Sequence, residues 1–556
     1  MKRWWILGLF TASLLLVFHL SIQNAYSINW DFAHIFFGGL YHLRHPVTEE
    51  MWKNLPFMEP DPRGMALTPF GPFQTSLPVA TYVLFYEKLK WLAFDSAYNI
   101  PAVVGGVVGI LALYLFLLET TGPLVAMAGF LFLALFPRHF GDLHTNVKDV
   151  PTAALYAISI WLFWRLANKR RLRDILLAAA AFAVTFNYKV NAIFIPVIVG
   201  LWTATLLFTK ARKHLGLPIG KLNVDAFVPF VGYALLAPIF AFIIWGIFWP
   251  DPLLHLLYLW RFFQYNTINL EVLFNGQWYC SGVNVPWWYP YGYLAIVTPI
   301  PILLFAIVGF LIALRRMTKF DPLAWLLIFW FFVPIVRYMS PKIGVIDGIR
   351  HFQEVEYPLV AYAAIGAVGM GAWFLKLRNV PLRIRKITLG IVVVLTLGCL
   401  TGNIIRFHPY QLSYFNELVG GLRGAMGKYD IDYWGISQKR AAAWLNENAP
   451  ADSIVHIVMT GDTAGKYLRP DLRARLNTRD YDSSDFVVVL NRQSFFYRYF
   501  WVIEYMLRRK TAFVVENQGV PMTWIYDNRL GVFPRGQEWW HGDSPCIQHY
   551  WSSPTP

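Results

Sequence analysis

The sequence predicts an α-helical polytopic membrane protein with about eleven transmembrane helices and a C-terminal extracytoplasmic α/β domain. Three observations support this fold class. Of the 556 residues, 56% are hydrophobic and 15% are charged, whereas a soluble domain usually carries about 25% charged residues. Apolar runs that approach the roughly 20 residues needed to cross a bilayer recur from residue 4 to residue 405. Beyond residue 405, short β-branched runs alternate with polar stretches.

The positive charge of the chain is distributed as in a membrane protein. Its net charge is +15, which in a soluble protein would suggest nucleic-acid binding. Here the basic residues cluster in every second segment between hydrophobic runs, and the positive-inside rule places those segments in the cytoplasm. We therefore predict an integral protein of a bacterial cytoplasmic membrane, with a cytoplasmic N-terminus and no nucleic-acid partner. The clusters are Lys2 and Arg3; Arg165, Lys169, Arg170, Arg171 and Arg173; Lys210, Arg212, Lys213 and Lys221; Arg315, Arg316 and Lys319; and Lys376, Arg378, Arg383, Arg385 and Lys386.

The spans follow from the apolar runs, taken in order. Residues 1–22 are interpreted as a retained helix, because the next five residues make a poor signal-peptide cleavage site; a signal peptide would also send residue 23 outward. Residues 23–97 form a first outer loop, with an interfacial helix over residues 74–94. The odd number of spans then places the chain after residue 405 outside. The further predicted spans are 98–118, 123–137, 150–166, 174–187, 191–208, 226–249, 290–314, 322–337, 352–375 and 386–405.

The chain is thus divided into a transmembrane catalytic domain, residues 1–405, and an extracytoplasmic α/β domain, residues 406–556. In the second domain, strands are predicted at Ser453–Met459, Phe486–Leu490 and Phe513–Glu516, and a helix at Ser437–Asn448.

The three cysteines are too few for a disulfide framework or a thiolate metal site. Cys399 falls inside a hydrophobic run. Cys280 and Cys546 both fall on the outer side, where two free thiols are the more common outcome and one disulfide is the alternative.

The first polar cluster comes directly after the first helix, where Asp31 and His34 lie among aromatic residues. Ionisable groups near membrane depth are costly, so a cluster of them indicates a functional site. Asp31 could be a general base, and a solvated loop acid is the competing interpretation.

The second cluster, residues 136–151, joins the third and fourth spans. Its two histidines, two carboxylates, arginine and lysine exceed what a connector needs, although helix capping alone could explain Asp149. The sequence requires no cofactor, and a divalent metal held by the histidines with Asp142 or Asp149 stays an open alternative because the spacing is not diagnostic. The candidate site residues are Arg138, His139, His144, Asn146, Lys148 and Asp149.

The third cluster, residues 337–352, lies between the ninth and tenth spans, where its positive charge violates the positive-inside bias. Such cations could hold an anionic head group, with Arg350 and His351 as candidates and Lys342 assisting. Snorkelling to the interface is the alternative for Lys342. Trp287 and Trp288 are typical of an aromatic belt and could also stack on a sugar.

Four segments resemble the C-type, polyprenyl-phosphate-sugar-dependent membrane glycosyltransferases, the superfamily of the protein O-mannosyltransferases and the lipid A aminoarabinose transferases. They are the His-x-Asn-x-Lys-Asp-x-Pro pattern at residues 144–151, and residues 286–289, 347–352 and 408–421. The resemblance implies that an acidic residue of the first outer loop is the catalytic base. The family often has an acidic pair there, but Phe32 follows Asp31 in this chain. It also implies that Asp149 helps to form the active site.

The resemblance therefore predicts transfer of one sugar, with inversion, from a polyprenyl phosphate to an acceptor hydroxyl outside the cytoplasm. The partners would be the lipid-linked donor, membrane lipid and an unidentified acceptor. A transporter or lipid flippase is the main alternative, but neither internal symmetry nor charged residues in mid-helix are visible. A scaffold whose C-terminal domain binds a partner is the other alternative.

Overall fold

The computed structural model describes residues 2–43, 71–210, 213, 227–246, 249, 251–265, 270–531 and 546. Residues 44–70 of the predicted outer loop, Arg212 and Lys221 of a predicted basic cluster, and most of the chain after residue 531 lie outside the described part.

Helices dominate up to residue 407. Those of nine or more residues are α1 Lys2–Ile22, α2 Phe32–His42, α3 Pro72–Tyr82, α4 Phe94–Thr120, α5 Pro123–Ala134, α6 Pro137–Thr145, α7 Asp149–Lys169, α8 Leu172–Phe186, α9 Phe194–Phe208, α10 Val228–Ile244, α11 Pro252–Tyr265, α12 Tyr289–Val297, α13 Ile300–Met317, α14 Pro322–Tyr338, α15 Glu356–Phe374 and α16 Leu382–Phe407.

The predicted fold class, a helical polytopic membrane protein with an added sheet domain, is confirmed. Within the described residues, seven helices are long and apolar enough to cross a membrane, or eight if the bent pair α5 and α6 is one span. α10 and α14 are shorter apolar helices, and α8 has 15 residues. Every predicted span falls on a helix, while the count of eleven stays a prediction.

Two predicted spans are broken, and proline explains both breaks. The predicted span 123–137 ends early, because α5 and α6 meet at a bend of 63°. The predicted span 290–314 is divided between α12 and α13. Phe136 and Thr298, which precede Pro137 and Pro299, have extended backbone with ψ of 112° and 126°. The proline ring disfavours helical backbone at the preceding residue, so each helix stops there.

The first outer loop contains two described helices where the sequence analysis predicted one. α3 continues as a π-helical segment over Val83–Lys88, and together they cover most of the predicted interfacial helix. α2 begins directly after Asp31. The two helices are so close that a Cβ atom on Gly39 would lie 2.2 Å from the carbonyl oxygen of Thr75. Only glycine fits this crossing, which packs the second half of α2 tightly against α3.

The core of the helical part is similarly tight. A Cβ atom on Gly309 of α13 would lie 1.8 Å from the carbonyl oxygen of Tyr362 on α15. Small residues permit such close approach of helices, which is how helices associate in a bilayer. The resulting bundle buries Trp202, Trp330 and Tyr357 completely.

The C-terminal region folds as predicted into strands and helices around a four-stranded sheet. The strands are β3 Val455–Val458, β4 Phe486–Leu490, β5 Thr511–Asn517 and β6 Val520–Asp527, after a separate hairpin of β1 Glu271–Phe274 and β2 Gln277–Cys280. The sheet order is β3-β4-β6-β5; β3 pairs parallel with β4, and the other pairs are antiparallel. Two helices complete it, α17 Gln438–Asn448 and α18 Phe500–Arg508.

Three further features tie the C-terminal region to the helical part. Cys280 and Cys546 form a disulfide, so the prediction of two free thiols is wrong. The backbone N–H of Trp30 donates to the carbonyl oxygen of Trp434 at 3.0 Å. Lys439 forms an ion pair with Asp95 at 2.6 Å. The domain therefore covers the end of the bundle where α1 ends and α7 begins.

Candidate active site

The link between α6 and α7 orients two charged side chains. The side-chain oxygen of Asn146 accepts hydrogen bonds from the backbone N–H groups of Lys148, at 3.2 Å, and Asp149, at 2.8 Å. Asn146 thus supplies the capping interaction at the start of α7, so helix capping does not explain the presence of Asp149. The Asp149 carboxylate is consequently available for another partner, and it pairs with Lys189 at 2.5 Å.

Asp31 lies between two cations that come from distant parts of the chain. Its Oδ2 atom accepts a hydrogen bond from Lys148 Nζ and another from Arg350 Nη1 at 3.1 Å. The Asp31 side chain is 31% exposed, whereas those of Lys148 and Arg350 are 9% and 11% exposed. The carboxylate is therefore the accessible member of an otherwise buried group.

Arg350 is fixed by a second carboxylate on its own turn. Asp347 forms an ion pair with Arg350 Nη2 at 3.0 Å and accepts a hydrogen bond from Arg492 Nη2 at 2.7 Å. Asp347 and Gly348 both have positive φ, 58° and 71°, which folds the turn back on itself. The C-terminal domain, through Arg492, thus helps to position Arg350.

Aromatic rings from both domains cover these cations. The Trp434 ring lies 4.9 Å from the Arg350 guanidinium and 5.6 Å from Lys148 Nζ. The Trp30 ring lies 4.9 Å from the Arg492 guanidinium. Such contacts stabilise cations that have lost part of their hydration.

We call these residues the Asp31 cluster, and its ion pairs leave an excess of positive charge. Four cations pair with three carboxylates, which gives a net charge of +1 (4 − 3). An excess of cations over the carboxylates that they pair with favours binding of an anion such as phosphate. The members are Asp31, Lys148, Asp149, Lys189, Asp347, Arg350 and Arg492.

The surroundings of Asp31 act on its pKa in opposite directions. Burial raises the pKa of the Asp31 carboxyl, but the neighbouring Lys148 and Arg350 outweigh burial and hold it well below its usual range. His34 lies one turn later on α2, and burial lowers the pKa of its imidazole more than Asp31 raises it. The free site therefore presents an ionised carboxylate.

His144 lies apart from Asp31, which corrects the prediction that the two residues face each other. Its imidazole bonds to His19 at 2.9 Å and to the side-chain oxygen of Gln23 at 2.6 Å. The ring of Tyr26 stacks on it at 3.9 Å. His144 is on α6, before the turn at Asn146 that redirects the chain, so its side chain points to the end of α1.

Two other predicted residues of the second cluster form no ion pair with the Asp31 cluster, although a Cβ atom on Gly348, in the turn that carries Arg350, would lie 3.2 Å from Arg138 Nη1. The imidazole of His139 shares a fully buried hydrogen bond with the Glu356 carboxyl group at 2.8 Å. Arg138 donates from Nε to the carbonyl oxygen of Tyr414 at 3.0 Å, and its guanidinium lies 4.6 Å from the ring of Phe415. Both residues attach α6 to elements near the site.

The third cluster is divided in the same way. His351 is adjacent to Arg350, and its backbone carbonyl accepts from the side chain of Asn191 at 3.5 Å. Lys342 is exposed and forms no ion pair with the described members of the Asp31 cluster, so its part in phosphate binding stays a prediction. The turn at Asp347 separates Lys342 from Arg350, and interfacial snorkelling fits its position better.

Trp287 and Trp288 are 59% and 37% exposed, as expected for either an aromatic belt or a stacking surface. Their neighbour Tyr289 reaches the site, because its hydroxyl accepts from the backbone N–H of Gly348 at 3.1 Å. The two tryptophans stay candidate sugar contacts.

Among the described residues, no group of three or more histidine, cysteine, aspartate and glutamate side chains is arranged to hold a metal ion. The histidines proposed as alternative ligands have the other partners given above.

Sequence analysis missed four members of this site. Lys189 interrupts the helix pair α8 and α9, and a lone cation in so short an outer turn was a usable signal. Asp347 belongs to a segment that was singled out for its cations. Arg492 and Trp434 come from the C-terminal domain, whose docking no local sequence pattern indicates.

Comparison with known proteins agrees with the motifs. Residues 94–245 match the family Dolichyl-phosphate-mannose-protein mannosyltransferase. The predicted resemblance to the polyprenyl-phosphate-sugar-dependent membrane glycosyltransferases is thereby confirmed for this segment, which includes α4 to α10 and carries Lys148, Asp149 and Lys189. No curated protein sequence matches the chain significantly.

Three solved structures are similar in outline. ArnT from Cupriavidus metallidurans is 11% identical, with a TM-score of 0.48 over 95% of this chain and 98% of that protein. The oligosaccharyltransferase AglB from Archaeoglobus fulgidus is 13% identical, with a TM-score of 0.47 over 86% and 69%. The arabinofuranosyltransferase AftD from Mycobacteria is 13% identical, with a TM-score of 0.45 over 95% and 40%.

Proposed function

We propose that the protein is an inverting glycosyltransferase that moves one sugar from a polyprenyl-phosphate donor to an acceptor hydroxyl outside the cytoplasm. The observation that carries this proposal is the sharing of the Asp31 carboxylate between Lys148 and Arg350. A base and the cations for a phosphate are thus adjacent in one partly exposed group. The family match over residues 94–245 supports the donor class.

In the proposed reaction, the donor phosphate takes the place of Asp31 on the two cations. The Arg350 guanidinium can donate two parallel hydrogen bonds to two oxygens of one phosphate, and the Lys148 ammonium adds a positive charge beside them. The net charge of +1 within the Asp31 cluster favours this exchange. Asp347 and Arg492 then keep Arg350 in place.

The released Asp31 carboxylate serves as the general base. The acceptor oxygen attacks the anomeric carbon and forms the new glycosidic bond, while the bond from that carbon to the phosphate oxygen breaks. The electron pair leaves with the lipid phosphate, whose charge Lys148 and Arg350 stabilise, and the acceptor proton goes to Asp31. A single displacement inverts the configuration at the anomeric carbon.

The proposal assigns catalysis to residues 1–405 and a covering role to the domain at 406–556, both at the outer membrane face. Contacts of Trp434 and Arg492 with the cations support this division, because the site is built by both domains. The disulfide between Cys280 and Cys546 supports an oxidising compartment for this face.

The proposal is tested by offering the purified protein a panel of polyprenyl-phosphate sugars and measuring the free lipid phosphate released. Lipid phosphate should be released from one of the donors in the panel. Asp31→Asn keeps the shape and removes the basic oxygen, so turnover should fall by roughly a hundredfold or more. Donor binding should persist or tighten, since the variant lacks the charge that competes with the phosphate.

The matched control is Asp482→Asn, a change at a side chain that is 63% exposed in the C-terminal domain. It should leave turnover near that of the wild type. Normal turnover in Asp31→Asn, or donor binding lost together with turnover, would contradict the assignment of Asp31 as the base.

A further inference from the structure

A pocket lined by polar and aromatic side chains lies at the end of the helical bundle opposite to the Asp31 cluster. Its volume is about 510 Å³. α7 has 21 residues, so about 30 Å, the thickness of a bilayer core, separates its Lys169 end from its Asp149 end. The pocket therefore faces the other leaflet. Its lining is Trp5 of α1, Glu119 of α4, and Trp164, Arg165, Asn168 and Lys169 of α7.

The charged groups of this pocket do not cancel. The Glu119 carboxylate accepts from Trp161 Nε1 at 3.2 Å and lies 3.8 Å from Arg165 Nε. Arg165 Nε has no hydrogen-bond partner among the described residues. Lys169 is exposed and has no ion pair with any of them. Two cations and one carboxylate leave the lining positive.

The position and aromatic content of the pocket suit a lipid head group. Trp5 and Trp161 pack with ring centroids 5.9 Å apart, and tryptophan is enriched where a membrane meets water. Lys2 lies three residues before Trp5 and hence on the same face of α1. Basic pockets between transmembrane helices on the cytoplasmic side bind anionic head groups.

We propose that this pocket binds the phosphate of an anionic phospholipid in the leaflet opposite the Asp31 cluster. Arg165 and Lys169 donate charge-assisted hydrogen bonds to the phosphate, Asn168 contributes a polar contact, and the indoles of Trp5 and Trp164 lie against the glycerol region. The acyl chains extend along the bundle into the bilayer. No step of the sugar transfer involves these residues.

Native mass spectrometry of the full-length protein tests this proposal. The protein is released from detergent in the presence of phosphatidylglycerol or phosphatidylcholine, and the retained lipids are counted. The wild type should retain one phosphatidylglycerol more strongly than phosphatidylcholine. Lys169→Gln should weaken retention roughly fivefold, and the pair Arg165→Gln with Lys169→Gln by more than tenfold. Glu119→Gln, which removes the opposing charge, should strengthen it.

The matched control is the pair Arg383→Gln with Lys386→Gln, exposed cations at the start of α16 outside the pocket. It should change retention less than twofold. Equal losses in both pairs would overturn the proposal in favour of diffuse attraction by the basic rim. Equal retention of both lipids would also overturn it. Retention of inorganic phosphate without lipid, abolished by Lys169→Gln, would assign the pocket to a free anion instead.

Because Lys169 is exposed, Lys169→Gln should keep the fold even if the change at Arg165 does not. A thermal unfolding midpoint equal to that of the wild type, measured without lipid, establishes this. Unchanged retention in a folded Lys169→Gln variant would count against the site.

Discussion

In the proposed reaction, Asp31 both pairs with the cations of the free site and serves as its reactive group. In the free protein its Oδ2 atom bonds to both Lys148 and Arg350, so the two cations have a partner before any donor binds. A carboxylate held in this way is a weak base, because its pKa is well below the usual range. We infer that donor binding, by taking over the cations, makes Asp31 a stronger base.

This inference predicts different pH dependences for the free and the donor-bound enzyme. An aspartate in an unfolded chain has a pKa of about 4, and the pKa of Asp31 in the folded protein is lower. Asp31 is therefore ionised and paired at every pH above about 4. The stability that these pairs contribute is lost only as the pH falls from about 4 through the lower pKa of the folded state. The value of kcat/KM reports the free enzyme. Protonation of Asp31 should therefore cause no decrease in kcat/KM between about pH 8 and about pH 5.

The acid limb of kcat reports the donor-bound enzyme and should lie at higher pH, since Asp31 has then lost its two cations. Steady-state kinetics with saturating and limiting donor separate the two parameters. Coincident acid limbs would mean that the donor phosphate leaves the pairs of Asp31 intact.

At the scale of elements, the site depends on two turns, at residues 146–149 and 347–350. Both were predicted from the sequence, because polar residues and excess positive charge are expensive at the outer ends of spans. Their partners were not. Glu356 and Gln353 fasten α6 to the start of α15 through His139, at 2.8 Å, and Asp142, at 2.9 Å. Such pairings arise from helix packing, which a single sequence does not encode locally.

The turn at Asp347 leads to a prediction for Arg350. Arg350→Ala removes a charge-assisted contact from a partly desolvated site and should weaken donor binding by about tenfold or more. It should also slow transfer, since the leaving phosphate loses a cation. Isothermal titration with a non-transferable polyprenyl phosphate and turnover measurements give both values.

The control for this variant is Arg508→Ala, which removes a 45% exposed arginine that pairs with Glu504 on α18. Donor binding should be unaffected. If Arg350→Ala bound and turned over donor like Arg508→Ala, the phosphate site would have to be assigned to other residues.

For the whole molecule, the sequence was sufficient for the fold class and for the places of most long apolar helices, but not for α2, α6 and α11. The lengths of the apolar runs and the distribution of the basic residues are properties of the sequence itself, so they predict the fold class directly. The breaks at Pro137 and Pro299 were readable in principle, because proline acts on its own neighbour. The docking of the C-terminal domain, which brings Trp434 and Arg492 to the cations, depends on surfaces that exist only after folding.

The parity of the basic segments predicts the side of the membrane on which that domain lies. A reporter that is fluorescent only in the cytoplasm should be silent when fused at Pro556. The same reporter fused after Lys319, in a predicted cytoplasmic segment, should be bright. A bright signal at Pro556 would place the C-terminal domain on the wrong side for the proposed reaction.

The disulfide between Cys280 and Cys546 changes the path that a mechanical force takes through the chain. It joins residues 266 positions apart, so the polypeptide between them forms a closed ring that includes α12 to α16 and the four-stranded sheet. Tension on the C-terminal tail bypasses this ring and reaches β2 directly. The next residue, Ser281, accepts a hydrogen bond from the backbone N–H of Val345 at 2.8 Å, two positions before Asp347. The load therefore passes to the chain before Cys280, and this hydrogen bond, like the four-stranded sheet, lies outside its path.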